Sequence, residues 1–331
     1  MNFRSIIGIV LCAILFLQAG ACRKPVGAPS KKGFIAVVGA GREDELWQVL
    51  GASAQRAGRE VGVGAAVRTF TPDSVSAAEQ IALIESLRGS NLRALCVQVT
   101  APEILLPLLE DLRTSGVFVV TMVRPVPSKI PFHHCGLDES EVGKAIATAL
   151  VEGIQGRGTV AVLRCDAADA RIEDRARGFR DVIGRSGGID ILRELDCGGD
   201  PARARELIRA FCERFPRVGG LAVLEDWPFP GPGGMTEPIV PAGCKLVGAD
   251  PLPSTWTALS KGWCHALIGA EYGEIAYRAV QWAMLVTDRK DVPVQTYRVP
   301  LRKVWSGNIE DFQARWQAWA SVSATAGESA R

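Results

Sequence analysis

Arg124 lies at the point where one series of predicted strands and helices ends and the next begins. Residues 119–123 form a run that is apolar apart from Thr121 and is typical of a buried strand, and Arg124 follows it directly. After a loop and a short strand, Asp138 opens an acidic helix start. Ligands of open α/β sheets bind outside the carboxyl ends of the strands, where the order of the sheet changes. The pattern therefore predicts a ligand contact for Arg124, with a salt bridge that anchors the loop as the alternative.

Three carboxylates follow predicted strands in the second half of the chain. Glu225 and Asp226 come after the apolar run 221–224, and Asp250 comes after the run 245–249. Ionised carboxylates accept hydrogen bonds from ligand hydroxyl groups, so each is a candidate ligand contact. A proline follows Asp250, so this aspartate could instead be the acceptor within a turn.

Two further candidates lie on predicted helices. Arg175 is near the start of a helix over 171–185, where its planar guanidinium could offer paired donors to a ligand. Together with Arg171 and Arg177 it could equally face solvent. Trp47 lies early in the first helix, on the side where a cleft is expected, and its ring could cover a ligand. It could also simply fasten that helix to the preceding strand.

The elements that must position these residues alternate regularly. Strands and helices alternate over 34–122, and a second such series covers 138–224 before a Pro/Gly-rich loop at 227–234. A strand over 295–301 and a helix over 309–319 are predicted near the end. Apolar strands alternating with helices indicate parallel sheets covered on both faces. Since one core stops growing near about 250–300 residues, we expect an α/β protein with two doubly wound, Rossmann-like lobes.

Composition and motifs argue against several classes of function. The 331 residues are 47% hydrophobic and 22% charged, with a formal net charge of +2 and no clustered basic face for nucleic acid. The turn at residues 39–41 lacks the third glycine of a dinucleotide fingerprint, so no cofactor is predicted. Adjacent His133 and His134 would point to opposite faces of a strand, so no metal site is predicted. No Ser/His/Asp or Cys/His arrangement has supporting context, so no catalytic residues are assigned.

The N-terminal residues have the pattern of a targeting segment, which does not contribute to the fold. A weakly basic start, an apolar run over 6–17 and small residues before Cys22 resemble a bacterial lipobox, although Ala19 replaces the usual leucine. Residues 1–21 are therefore predicted to be a lipoprotein signal peptide, Cys22 the lipidated residue, and 22–32 a tether. Ordinary secretion and a retained membrane anchor are the alternatives.

The cysteine pattern does not indicate a disulfide framework. Nine cysteines are present, of which seven lie beyond Cys22, and none has C-x-x-C spacing. One or two bridges could form, with Cys197–Cys212 and Cys244–Cys264 as the candidate pairs.

Several partial motifs occur in a fixed order over residues 33–305. They are Leu46-Trp47 ahead of Ala54-Gln55, Thr121-Met122-Val123-Arg124, Asp138 through Gly143-Lys144, Arg175 ahead of Gly178-Phe179, and Val247-Gly248-Ala249-Asp250. Together they resemble bacterial periplasmic sugar-binding proteins of the ribose/galactose/xylose type, whose domain is shared with LacI-type regulators. The resemblance implies the type I periplasmic binding protein fold, with a multi-strand hinge between the lobes.

The same resemblance implies which residues bind the ligand. Trp47 falls on a sugar-stacking aromatic, Arg124 and Arg175 on sugar-contacting arginines, and Asp250 on an acceptor for sugar hydroxyls. Asp138, Glu225 and Asp226 complete the implied ligand-binding set. The chain departs from the family pattern where Val123 replaces an aspartate, where Leu224-Glu225-Asp226 replaces Q/N-N-D, and where Ala249 replaces an aromatic residue.

The resemblance also implies how the chain is divided into lobes and what the protein does. The N-terminal lobe would comprise residues 33–136 plus about 270–291, and the C-terminal lobe residues 137–269 plus about 292–320. Residues 321–331 would form a flexible tail.

The chain would be an exported, lipid-anchored monomer of the periplasm or cell envelope. It would bind a sugar-like small-molecule solute and deliver it to an ABC permease, without a cofactor and without nucleic acid. The alternatives are a sensor that presents its bound form to a membrane receptor, or an enzyme or structural lipoprotein on the same scaffold. A LacI-type regulator is disfavoured, because a signal segment stands where its DNA-binding helices would be.

Overall fold

The structure, a computed structural model, describes residues 33–60, 66–164, 166, 169–225, 235–286 and 293–321. The predicted signal peptide, Cys22, the tether, Asp226, the Pro/Gly-rich loop and residues 322–331 of the predicted tail lie outside these residues. Within them, no helix is long and apolar enough to cross a membrane.

Two six-stranded sheets form the framework. The first contains β1 (Phe34–Val38), β2 (Val67–Phe70), β3 (Leu92–Gln98), β4 (Phe118–Val123), β5 (His133–Gly136) and β11 (Thr296–Arg298), in the order β11-β5-β4-β3-β1-β2. The second contains β6 (Gly158–Arg164), β7 (Ile189–Asp196), β8 (Gly220–Val223), β9 (Lys245–Ala249), β10 (Ala266–Ala270) and β12 (Leu301–Val304), in the order β12-β10-β9-β8-β6-β7. Only the β10–β12 pair is antiparallel among the described strands.

Helices cover both sheets, as the alternation predicts. They are α1 (Glu45–Glu60), α2 (Ala77–Ser86), α3 (Pro102–Thr114), α4 (Glu139–Gly153), α5 (Ala170–Ser186), α6 (Pro201–Arg214), α7 (Trp256–Ser260), α8 (Gly273–Val286) and α9 (Ile309–Ala320). Every residue of β1 and of β10 is buried, which is the expected result for apolar strands with helices on both faces. The predicted α/β architecture with two lobes is confirmed. We call the lobe built on the first sheet the first lobe, and the other the second lobe.

Along the residues that the structure describes, the chain passes between the lobes three times. It crosses after β5 into α4, after β10 into α8, and between β11 and β12. The sequence predicts one strand over 295–301 and a second-lobe segment from 292, and both expectations are wrong at this point. β11 pairs with β5 in the first sheet, and β12 pairs with β10 in the second. Pro300 between them has no N–H to continue a ladder, so the strand is interrupted where the chain changes sheet.

The last helix joins both lobes. It follows β12 in the second sheet, yet it packs against α1 and α8 of the first lobe as well as α7 of the second. Its Trp316 is only 4% exposed. The ring centroid of Trp316 lies 5.9 Å from that of Trp256 in α7 and 6.1 Å from that of Tyr272 at the second crossing. The sequence assignment of this helix to the second lobe alone is therefore incomplete.

Two glycines allow α4 and α5 to approach closely. A Cβ atom at Gly143 would lie 1.9 Å from the carbonyl oxygen of Arg175, and one at Gly178 would lie 2.1 Å from that of Ser140. These distances leave no room for any side chain at either position. The close approach brings Arg175 on α5 against Glu139 in the first turn of α4.

This packing predicts opposite effects for two glycines of the same helix. Gly178→Ala should destabilise the protein by about 1–3 kcal/mol, because the backbone of α4 must move away. Gly184→Ala should be neutral or stabilising by up to about 1 kcal/mol, because its added Cβ would meet no atom outside the local backbone of its own helix within 4 Å and alanine favours the helix. Urea unfolding measures both. Equal effects at the two positions would contradict this packing.

The structure describes the four cysteines of both candidate disulfide pairs. Neither Cys197–Cys212 nor Cys244–Cys264 is bonded. Burial raises the pKa of Cys135 and of Cys244 to about 12, so these thiols stay protonated and pack as small apolar side chains.

Candidate functional site

Arg124 leaves the first sheet through a tight, strained turn. Its N–H donates to the carbonyl oxygen of Met122 at 2.7 Å, and Val123 between them has a φ of +64°. β-branched residues rarely adopt this left-handed region, and such strain is concentrated at functional sites. Nη1 of Arg124 donates to the carbonyl oxygen of Thr100 at 2.9 Å. The guanidinium is thereby held at the carboxyl edge of β3 and β4.

Asp169 faces Arg124 from the second lobe. It caps the N-terminus of α5, since its Oδ1 accepts a hydrogen bond from the Arg171 N–H at 2.9 Å. Its Oδ2 accepts from Nη2 of Arg124 at 2.5 Å and from Nη2 of Arg171 at 3.1 Å. Burial raises the pKa of Asp169, but the two arginines and these hydrogen bonds lower it more, so its pKa lies below the usual value. Arg171 also donates to Glu225.

Arg175 is the buried centre of the second-lobe part of the site. It is 2% exposed, and its Nε donates to Glu139 at 2.6 Å. Its Nη1 donates to the carbonyl oxygen of Leu224 at 2.7 Å and to Oδ2 of Asp250 at 3.1 Å. Burial lowers the pKa of Arg175, but the surrounding carboxylates outweigh that effect and raise it above the usual value. This guanidinium therefore stays charged and ties α5 to α4 and to the ends of β8 and β9.

The sheets thus bring four of the predicted residues into one cluster. Arg124, Glu225 and Asp250 lie at or just beyond the carboxyl ends of strands, and Arg175 lies near the start of α5. Asp169 and Arg171 connect Arg124 of the first lobe to Glu225 of the second. Asp250 adopts a φ of +60°, and its Oδ1 accepts a hydrogen bond from the Tyr272 hydroxyl at 2.7 Å. The alternation of guanidinium donors and carboxylate acceptors suits a ligand with several adjacent hydroxyl groups.

Two predicted residues are placed differently. Asp138 caps α4 by accepting from the Glu141 N–H at 3.2 Å, and it pairs with Arg298 at 3.1 Å across the hinge. The Trp47 ring covers Gly39, where an added Cβ would lie 2.4 Å from it. These contacts give both side chains structural roles, and their ligand contacts stay predictions.

Sequence reasoning missed three members of the cluster. Asp169 precedes a predicted helix in the position of an N-cap, so its place could have been found from that pattern. Glu139 lies beside Asp138 in the acidic helix start, where only the helix register decides which carboxylate turns inwards. Tyr272 had no local signal, because its contact with Asp250 depends on how the second crossing folds.

A second contact joins the lobes at the start of α1. Oε2 of Glu45 accepts a hydrogen bond from the backbone N–H of Ser254 at 2.8 Å. Ser254 lies in the short 3₁₀ turn Pro253–Thr255 that precedes α7 in the second lobe. Over the described ranges, no group of three or more His, Cys, Asp or Glu side chains could hold a metal ion.

Comparison with known proteins gives similarity over most of the chain. Among solved structures, a glucose-galactose binding protein from Geobacillus stearothermophilus is 20% identical, with a TM-score of 0.72 and coverage of 84% of this chain and 99% of that chain. A sugar-binding protein of a sugar ABC transporter from Bacillus halodurans is 16% identical, with a TM-score of 0.75 and coverage of 85% and 99%. The fructose-binding periplasmic domain of a hybrid two-component system is 16% identical, with a TM-score of 0.70 and coverage of 86% and 95%. At these identities the similarity shows the fold.

The family is shown by sequence. No curated protein sequence matches the chain significantly. The family model for the periplasmic binding protein domain, however, matches residues 35–291. This match covers most of the chain, from β1 to beyond the end of α8. The chain therefore belongs to the periplasmic binding protein family and has the type I fold of the ribose, arabinose and galactose group.

Proposed function

We propose that the protein captures a sugar or sugar-like solute between its lobes and delivers it to an ABC-type importer. Membership of the family implies an extracytoplasmic location. The observation that carries the proposal is the cluster of Arg124, Arg175, Glu225 and Asp250 at the gap between the lobes. Several solved structures with this fold are described as sugar-binding proteins, which supports the choice of ligand class.

The chemistry of the cluster supports a hydroxyl-rich ligand. Arg124 and Arg171 present planar donor groups, and Glu225 and Asp250 present acceptors, so neighbouring hydroxyls can each find a partner. Closing the lobes would remove these groups from water and strengthen each hydrogen bond. Trp47 is retained as a proposed apolar platform for the C–H face of a sugar.

The remaining parts of the proposal rest on the N-terminal sequence. We infer that residues 1–21 direct export, that Cys22 is lipidated, and that 22–32 tether the binding unit to the membrane. The protein would act as a monomer, without a cofactor, and would bind its solute without converting it.

Thermal unfolding of residues 33–331, the compact unit that holds all described elements, tests the ligand class. The panel contains monosaccharides, polyols, nucleosides and amino acids. A ligand at a hundredfold excess over its Kd stabilises the native state by about 2.7 kcal/mol, so we expect at least one sugar to raise the midpoint. The shift should disappear in Arg124→Ala and persist in Arg177→Ala, whose side chain is 65% exposed. No shift from any compound with a well-folded sample, or a shift from amino acids only, would contradict sugar capture.

A sensor is the second candidate. It is favoured by one observation, the similarity to the periplasmic domain of a hybrid two-component system, which is described as fructose-binding. Cells lacking this protein distinguish the two roles. Loss of uptake of the sugar that shifts the midpoint supports the importer, whereas normal uptake with a lost transcriptional response to that sugar supports the sensor.

A further inference from the structure

The Arg124–Asp169 ion pair lies between the lobes. Arg124 extends from the end of β4 in the first lobe, and Asp169 stands at the start of α5 in the second. Their Nη2 and Oδ2 atoms are 2.5 Å apart, and the side chains are only 28% and 16% exposed. An arginine–carboxylate pair that is largely shielded from water is stronger than an exposed pair.

Asp169 is held in place by more than this pair. Its Oδ1 caps α5, and its Oδ2 is shared by Arg124 and Arg171. The carboxylate therefore reaches Arg124 from a fixed helix start, with little rotamer entropy left to lose. The Glu45–Ser254 hydrogen bond gives the two lobes a second direct contact.

The pair also uses the hydrogen-bonding capacity of Arg124. Nη1 is bonded to the carbonyl oxygen of Thr100 and Nη2 to Asp169. A carboxylate in this place satisfies the guanidinium in the same way as a hydroxyl-rich ligand would. Nη1 and Nη2 each carry two N–H donors, so a ligand that takes the Nη2 N–H directed at Asp169 must displace that carboxylate.

We propose that Asp169 is an internal latch of the cleft, which draws the lobes together through Arg124 and competes with the ligand for that guanidinium. The latch itself rests only on the contact between the lobes. The competition rests on the proposed function, since it requires that Arg124 contacts the ligand.

Small-angle X-ray scattering of residues 33–331 without added sugar tests the latch. Asp169→Asn removes the charge but keeps an N-cap side chain, so α5 should remain intact. Asp181→Asn on the same helix is the matched control, because Asp181 pairs with Arg185 one turn further along the exposed face of α5. We expect a larger radius of gyration for Asp169→Asn, corresponding to a shift of about three- to tenfold from closed towards open molecules, and none for the control.

Two further variants test whether the opening arises from loss of the Arg124–Asp169 pair. Arg124→Gln should open the cleft to the same extent, and the double variant should open it no further than either single variant. Scattering from Asp169→Asn that equals that of Asp181→Asn would overturn the latch, whatever the ligand.

The competition is tested separately, with the sugar that shifts the unfolding midpoint. Losing the competitor should tighten binding to Asp169→Asn by about three- to tenfold, measured by calorimetry against Asp181→Asn. Weaker binding would overturn the competition and would make Asp169 a direct ligand contact. If no sugar binds the parent protein, the proposed function fails while the scattering result for the latch still stands.

Discussion

Replacement of Arg175 by alanine is expected to lower the free energy of unfolding by about 3–5 kcal/mol. Glu139 is 8% exposed and Asp250 15%, and both lose their shared cation in this variant. Removing one partner of a buried ion pair leaves an uncompensated charge in a poorly solvated place, which costs more than the pair itself contributes. The carbonyl oxygen of Leu224 also loses its donor. Urea unfolding followed by far-ultraviolet circular dichroism measures the difference.

Two variants show whether the loss of stability comes from the buried guanidinium of Arg175 and not simply from removing a positive charge from α5. Arg177→Ala removes a cation two residues away that is 65% exposed and pairs within α5, so it should cost less than about 1 kcal/mol. Arg175→Lys keeps the charge but loses the planar donors, so its loss should fall between those of the two alanine variants. A similar small loss for Arg175→Ala and Arg177→Ala would mean that Arg175 does not organise the second-lobe site.

Replacement of Trp316 by alanine should also cost about 3–5 kcal/mol, by the loss of a large buried ring and the cavity left behind. The ring is 4% exposed and stands among Trp256, Tyr272 and Phe312. Because α9 contacts both lobes, we expect the whole 33–331 unit to unfold at lower urea in a single transition. Trp305→Ala is the matched control, because that ring is 47% exposed, and its loss should be within about 1 kcal/mol.

The result for Trp316 separates two descriptions of α9. A large loss in one transition supports a helix that holds the lobes together. A loss no greater than that of Trp305→Ala would contradict this and would make α9 a peripheral addition to the second lobe.

The fold was predictable because its signals are local and repeated. Largely apolar runs such as 119–123 and 245–249 alternate with helices, and parallel sheets with two covered faces bury such strands completely. The positions of Arg124, Glu225 and Asp250 followed from the same pattern, since each stands directly after a strand. Arg175 was found through its motif, and the structure adds the physical reason for the neighbouring glycine: Gly178 contacts α4.

What the sequence could not provide is the pairing between distant elements. Whether Arg124 contacts a ligand or Asp169 depends on the relative position of the two lobes, and no local sequence pattern predicts this position. The split of the predicted strand at 295–301 depends on which sheet each half joins. Trp47 shows the same difficulty, because an aromatic residue early in a helix suits both a ligand platform and a cover for Gly39.

The most direct test of the central claim is a crystal structure of residues 33–331 with the sugar that gives the largest shift of the unfolding midpoint. We expect electron density for that sugar between the lobes, with its hydroxyls within hydrogen-bonding distance of Arg124 and of Glu225 or Asp250. We also expect that Asp169 no longer contacts Nη2 of Arg124. Sugar bound elsewhere, with the Arg124–Asp169 pair intact, would contradict both the site and the competition between Asp169 and the ligand.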